Sequence, residues 1–528
     1  MKNFNIVLYF IKFSTIIFAP SLLFANITST NHWSNKAVLI KSYQQSFDWL
    51  NPWEKGEIST KNGMAIVVNT NSSKRKILTD KVKYNSLYLL TTAEIVVDAT
   101  LIEVTRKDSL KPFTAKIFLI DYAANLALLK IDNFEFWKNL KPVIWENSKP
   151  FEKYKSTNIK TLKIKSIEEW HIQNSKLDQM TVGHRKQTNA WFPQMKLSGL
   201  TKVSPGFPVI QDNKTIGMIL EYRSSEAKAV PTEMILEFFR HSKKKNYQSL
   251  AHRGFRWKKL PQKSTADYFK IPYEKPGIWI SNVLPYGTGS EVLIKGDYLT
   301  KIGKWPISYE GKINHPIWGL SLFDLLFLDM LKVDDLVQLY VIRDGKPIIL
   351  RTKVSSFKEI RKNVPLKKVG IPPRYIINGG FLFQELTLNY LSMWGKNWEN
   401  RAPLRLRLFL EVNNSTKIPR KNKKRIIKNK DSKENFKSRV VLVTQVIPDQ
   451  INIGYQKIRN AIVLKINNLE IKQLDDVRDA FLNPKGDFHR IDFLPGSNRL
   501  SVILPVSGLN DSNARIKNNF RIPKLQSL

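Results

Sequence analysis

The feature that most constrains this chain is a succession of short apolar runs of strand length, broken by turns and with no long helical period among them. Met64–Val68, Leu87–Leu90, Leu101–Val104, Ala115–Ile120 and Leu126–Leu129 come first, then Val209–Ile210 and Ile216–Leu220. Runs this short and this rich in Val, Ile and Leu read as strands. Many of them in series predict a barrel or sandwich, since closure or stacking is what buries such strands. One helix follows at Thr232–Arg240, after Pro231, with Thr232 expected as its cap.

Composition narrows the chemistry. The chain has 528 residues, room for about three domains, and no cysteine, which excludes disulfides, thiolate metal sites and cysteine nucleophiles. Its seven histidines form no HExxH pair, so a zincin site is excluded and no metal or other cofactor is expected. The formal charge is +40, from 85 Lys+Arg against 45 Asp+Glu. Such a charge attracts polyanions in general, but without a reader motif it assigns no specific nucleic-acid role.

The chain opens on Met1-Lys2-Asn3, followed by a mostly apolar stretch to Ala25 interrupted by Lys12. A charged start, a short apolar core and a small closing residue predict a signal peptide over 1–25 and export to a periplasm, cell envelope or exterior. The competing expectation is a retained N-terminal anchor. Residues 26–58 read as an extension without a period, and 59–243 as the first β unit. His241–Asn246 reads as a linker, 251–357 as a second unit, and 366–528 as a third. The third is split by a basic insertion, 415–439; from Lys417 to Arg439 it carries eleven Lys/Arg against two Asp/Glu. A run of that kind reads as a solvated loop, with electrostatic tethering to anionic polymers as the alternative.

Three anchors in order then resemble a known family. Leu90-Thr91-Thr92-Ala93-Glu94-Ile95-Val96 is similar to the Leu-Thr-Asn-Ala-His-Val-Val run of HtrA/Deg serine proteases. Asn125-Leu126-Ala127-Leu128-Leu129 resembles their Asp-Leu-Ala-Leu-Leu, and Val203-Ser204-Pro205-Gly206-Phe207-Pro208-Val209 their Gly-Asn-Ser-Gly-Gly-Pro-Val. The resemblance implies a mainly β chain: a trypsin-like double β-barrel followed by two PDZ or PDZ-like α+β domains. The carriers of the third unit are Pro373–Phe383, Trp394–Trp398 and Pro448–Tyr455.

Acyl transfer on this fold needs a Ser nucleophile, a His base and an Asp that orients it. Carried over residue by residue, the resemblance puts Glu94 at the base, Asn125 at the orienting acid and Pro205 at the nucleophile. Pro205 has neither a hydroxyl nor a backbone N–H, so the nucleophile and one oxyanion donor are both missing. Phe207 stands where the family has Gly. A one-residue slip makes Ser204 the alternative nucleophile, but the only histidine before Asn125 is His32. An ordinary carboxylate at Glu94 is a poor base for a hydroxyl.

Peptide binding demands less of the side chains, because a PDZ domain adds an extended peptide to a sheet edge through the backbone. The expected groove lies between Tyr268-Phe269-Lys270-Ile271 and the strand Gly277-Ile278-Trp279-Ile280, with Lys270 available to a peptide carboxylate. The resulting expectation is an exported pseudoprotease that binds peptides or unfolded proteins as scaffold, chaperone or regulator. Active Deg-type relatives, copies of itself and polyanions are its other expected partners. The alternatives are an active serine endopeptidase built around Ser204 and a polyanion-binding envelope protein.

Overall fold

The computed structural model describes residues 32–70, 86–146, 159–164, 166–185, 190–260, 262–284, 287–357, 364–365, 370–395, 397–411, 439–496 and 500–528. The expected signal, 1–25, and all of the basic insertion except Arg439 lie outside the described residues. Among those described, no helix is long and apolar enough to cross a membrane.

The first sheet holds β1 (Ala37–Gln44), β2 (Ser59–Asn69), β3 (Leu87–Thr91), β4 (Ala99–Arg106), β5 (Ser109–Thr114), β6 (Lys116–Asp121) and β7 (Leu126–Lys130) in the order β5-β4-β1-β2-β3-β7-β6. Val38, Ile40, Ala65, Val67, Leu89, Val104, Leu129 and Phe136 fill its core. The expectation that 26–58 is an extension fails here. β1 lies inside the sheet, paired with β2 from Ala37↔Ile66 to Gln44↔Ser59 and with β4 on its other edge.

The second sheet closes into a barrel, β10-β13-β12-β11-β8-β9. Its strands are β8 (Ile159–Ile164), β9 (Trp170–Arg185), β10 (Ala190–Ser198), β11 (Pro208–Gln211), β12 (Lys214–Arg223) and β13 (Glu226–Pro231). One apolar cluster runs through both sheets, joining Met64, Ile66 and Leu90 to Val209, Met218 and Phe238. This pair of antiparallel β units fits the expected trypsin-like fold. The helix Thr232–Ser242 buries Met234, Ile235, Phe238 and Phe239 against the barrel. Its cap differs from the expectation: Pro231 holds that position, and the Thr232 hydroxyl donates instead to Thr215 O at 3.2 Å.

The expected linker is anchored at both ends. His241 is buried and lies 3.0 Å from Glu237. Just beyond the stretch, the Tyr247 and Ser249 hydroxyls both donate to the buried Asp121 carboxylate of the first sheet, Ser249 at 2.7 Å.

A third sheet runs β14 (Phe255–Lys258), β15 (Ile278–Val283), β16 (Tyr298–Ile302), β20 (Leu336–Arg343), β21 (Lys346–Lys353). The short β17 (Trp305–Pro306) pairs with β16, and β18 (Lys312–His315) with β19 (Gly319–Leu322) makes a separate hairpin. A buried ion pair at its base, Arg253 Nη1 to Asp324 Oδ1 at 2.6 Å, lies beneath the Trp191 ring of β10. Next to it the Trp191 backbone N–H donates to His252 Nε2 at 3.0 Å, joining barrel and third sheet. Burial, and then the nearby Arg253 charge, push the His252 pKa down to about 3, so the imidazole is a neutral acceptor.

The fourth sheet is β28-β27-β25-β24-β23-β22-β29. Its strands are β22 (Tyr375–Asn378), β23 (Phe381–Glu385), β24 (Val441–Val446), β25 (Ala461–Ile466), β27 (Phe488–Phe493), β28 (Ser501–Pro505) and β29 (Gln526–Ser527), with β26 (Leu469–Glu470) beside β25. The loop between β1 and β2 reaches this sheet. Trp49 joins one of its apolar clusters, Trp53 packs on Tyr375, and Gln445 Nε2 donates to Asn51 Oδ1 at 3.2 Å.

Candidate functional site

Glu94 sits on a single helical turn, Ala93–Val96, directly after β3. Gln44, at the end of β1, holds that turn from below, donating from Nε2 to Ile95 O at 2.7 Å and to Glu94 O at 3.1 Å. The Glu94 carboxylate turns to solvent, 53% exposed, and pairs loosely with Lys61 at 3.5 Å. An exposed pair of this length contributes little and leaves the carboxylate hydrated.

Asn125 comes immediately before β7 and is almost completely buried, with φ at +59°. Asn tolerates this left-handed conformation better than most residues. Its Oδ1 accepts the Glu94 backbone N–H at 2.9 Å, while Nδ2 is buried without a hydrogen-bond partner. The positions predicted for base and orienting acid therefore do meet, but through a main-chain bond. The Asn125 amide is not a base, and the Glu94 carboxylate faces solvent rather than Asn125.

Pro205 lies on the loop between β10 and β11. Its carbonyl accepts the Met64 N–H at 3.2 Å, and Met64 O in turn accepts the Thr91 hydroxyl at 2.8 Å. β2 thus runs between the two halves of the site: a Cβ added at Gly63 would lie 2.2 Å from Ile95 Cδ1 and 3.0 Å from Pro205 O. Gly206, with φ at +89°, passes so close to β2 that a Cβ there would sit 1.8 Å from Met64 O. Phe207 is buried in the cluster shared by both sheets, and its carbonyl accepts Ile219 N–H at 2.8 Å. The side chain that replaces the family's glycine thus packs into the core. Ser204 is half-buried, and among the described residues it makes no hydrogen bond to Glu94.

The residues expected to form the peptide groove are placed differently. β15 is bonded on both edges, to β14 through Trp257↔Ile280 and Lys258↔Trp279 and to β16 through Ile278↔Leu299 and Trp279↔Tyr298. Ile278 and Ile280 are fully buried. A strand with both edges filled offers no place for strand addition. Phe269, Ile271 and Trp279 join Tyr298 and Ile342 in a small core on the sheet's outer face. Gly277 packs on the Tyr298 ring, Tyr268 is exposed, and Lys270 lies beside the turn at Gly345, away from β14. The strand whose edge ends the sheet on that side is β14. Beside it lie Phe323, stacked on Phe255 and tilted against Trp257, and Trp191, under the Arg256 guanidinium at 5.4 Å.

Residues 364–528 match the model of a PDZ domain family. The chain is 25% identical over 416 residues to a mitochondrial Do-like 11 protein of Arabidopsis thaliana, covering 77% of this chain and 63% of that one. It is 21% identical over 509 residues to the chloroplastic protease Do-like 2 of the same plant, covering 93% and 75%. Among solved structures it is similar to an HtrA-type protease AlgW with decapeptide, at 15% identity and a TM-score of 0.41, covering 62% of this chain and 99% of that one. The chain spans a little under two thirds of the length of the Do-like 11 protein.

Proposed function

We propose that this chain, which belongs to the HtrA/Deg family of proteases with PDZ domains, holds peptides and unfolded polypeptides without cleaving them. The observation that carries this reading is Pro205 at the nucleophile position. A serine there would supply the attacking oxygen and one oxyanion N–H; proline supplies neither. Glu94 and Asn125 do not compensate. The Glu94 carboxylate is in water beside Lys61, and the Asn125 carbonyl oxygen is engaged by a main-chain N–H.

Binding would use the outer edge of β14, which ends the sheet and pairs with no other strand among the described residues. A peptide added there makes main-chain hydrogen bonds, and its side chains meet Trp257 and Arg256. The role is that of an exported scaffold, chaperone or regulator of active relatives, with export resting on the charged and apolar N-terminal stretch. Hydrogen exchange of the full chain with casein-derived peptides tests the binding half of this reading. Protection is expected over Phe255–Lys258; peptide binding that leaves these amides exchanging freely overturns the assignment of the edge.

A further inference from the structure

The opposite edge of the third sheet carries a second, independent strand-addition site. β20 and β21 are joined by the two-residue turn Asp344-Gly345, both at positive φ, with Arg343 opposite Lys346. In such a hairpin the residues flanking the turn form a hydrogen-bonded pair, and bonding then alternates along the ladder. Lys346, Ile348, Leu350 and Thr352 therefore bond to β20, and Pro347, Ile349, Arg351 and Lys353 turn their backbone groups outward.

Further along, this edge is already occupied by the chain itself. His252 N–H donates to Ser355 O at 3.0 Å and Phe357 N–H to Leu250 O at 3.0 Å, so Leu250–His252 is an added antiparallel strand over 355–357. The cover stops there. Over 349–353 no backbone hydrogen bond from another segment reaches the edge among the described residues. Pro347 has no N–H to offer and, with Lys346, guards the turn end. What is left without a partner strand among the described residues is a stretch of three outward-facing residues, with Lys353 O taking only long hydroxyl contacts from Thr352 and Ser355 at 3.4 Å.

Its surroundings define an occupant. Ile349 is 56% exposed, and Leu336, opposite Lys353 on β20, is 78% exposed. Arg351 and Lys353 share this face and form no ion pair among the described residues. At the Lys353 end the edge opens into a cleft of about 410 Å³, with Glu291 and Asp334 in its lining. Gln248 Oε1 and Ser356 Oγ, also in the lining, are buried without a hydrogen-bond partner.

We infer that the β21 edge over Ile349–Lys353 binds an extended acidic polypeptide segment as an antiparallel strand, with the segment's N-terminal end in the cleft. Antiparallel addition puts the segment's start beside Lys353, where Glu291 and Asp334 favour a positive amino end. Acidic side chains then lie over Arg351 and Lys353 on one face, and the alternating apolar ones on the other face, beside the half-buried Ile348 and Leu350. This site goes beyond the β14 reading and stands or falls separately from it.

The test is binding of a short alternating Glu-Val peptide with a free amino terminus to the full chain, beside its Lys-Val counterpart. Saturable, salt-sensitive binding of the Glu-Val peptide alone is expected, with protection from exchange over 349–353. Arg351→Glu with Lys353→Glu should weaken it by about tenfold or more, which is about 1.4 kcal/mol per tenfold. Ile349→Pro removes an outward N–H while sparing the ladder to β20 and should weaken it likewise. The exposed charge pair keeps the test valid if the proline variant misfolds. Absence of binding, equal binding of the Lys-Val peptide, or undiminished binding by the charge-reversed variant would overturn the inference.

Discussion

The Asn125 side-chain oxygen accepts the Glu94 backbone N–H at 2.9 Å, while its amide nitrogen stays buried and unpartnered. The two residues at the base and orienting positions thus hold each other through the main chain. Asn125 acts here as a structural clamp on the turn that carries Glu94. Its left-handed φ and its hydrogen bond are separable in stability measurements. Asn125→Gly loses the bond and should cost about 1 kcal/mol; Asn125→Ala adds backbone strain and should cost about 2 kcal/mol or more, read by denaturant unfolding.

Gly206 tests the close approach of the nucleophile-position loop to β2. Any side chain there meets the Met64 carbonyl and also has to adopt φ +89°. Gly206→Ala should destabilise the chain by about 3 kcal/mol or more, with the loss visible in thermal unfolding.

The Arg253–Asp324 pair is buried on both sides, at 2.6 Å. Removing either partner leaves an uncompensated charge between barrel and third sheet. Arg253→Met and Asp324→Leu should each cost about 3–5 kcal/mol, and the double variant markedly less than their sum. A strictly additive cycle would show that the two residues act independently.

His252 makes stability pH-dependent in a defined window. Its pKa is lowered from 6.5 to about 3, so the folded chain keeps it neutral while the unfolded chain protonates it as pH falls below 6.5. Its contribution is fully present above pH 6.5 and is lost progressively toward pH 3, by about 2 kcal/mol at pH 5. His252→Gln keeps an acceptor for the Trp191 N–H and should flatten the stability profile between pH 6.5 and 5.

Much of this arrangement is legible in the sequence. β2, β3 and β7 announce themselves because they lie side by side within the first sheet and are buried and apolar on successive residues. The same signal misleads at Gly277–Ile280: that run is strongly apolar because β15 is central, which is why it cannot receive a peptide. β14, Phe-Arg-Trp-Lys, has the weaker pattern of an edge strand, with polar residues facing outward. β1 escapes notice because its apolar start, Ala37–Ile40, gives way to Lys41, Ser42 and Gln44, of which Ser42 and Gln44 are buried all the same. Spacing within the family pattern brings Glu94 and Asn125 into a main-chain hydrogen bond, with Pro205 on the far side of β2. What spacing cannot convey is that Phe207 packs inward and that Gly206 is pinned against Met64.

The measurement that bears most directly on the central claim is proteolysis of unfolded casein by the purified full chain, beside its Ser204→Ala variant. The account predicts no cleavage by either protein, with casein peptides still bound by both. Cleavage by the unaltered chain that disappears in Ser204→Ala would place the nucleophile at Ser204 and contradict the reading of Pro205 as the end of catalysis.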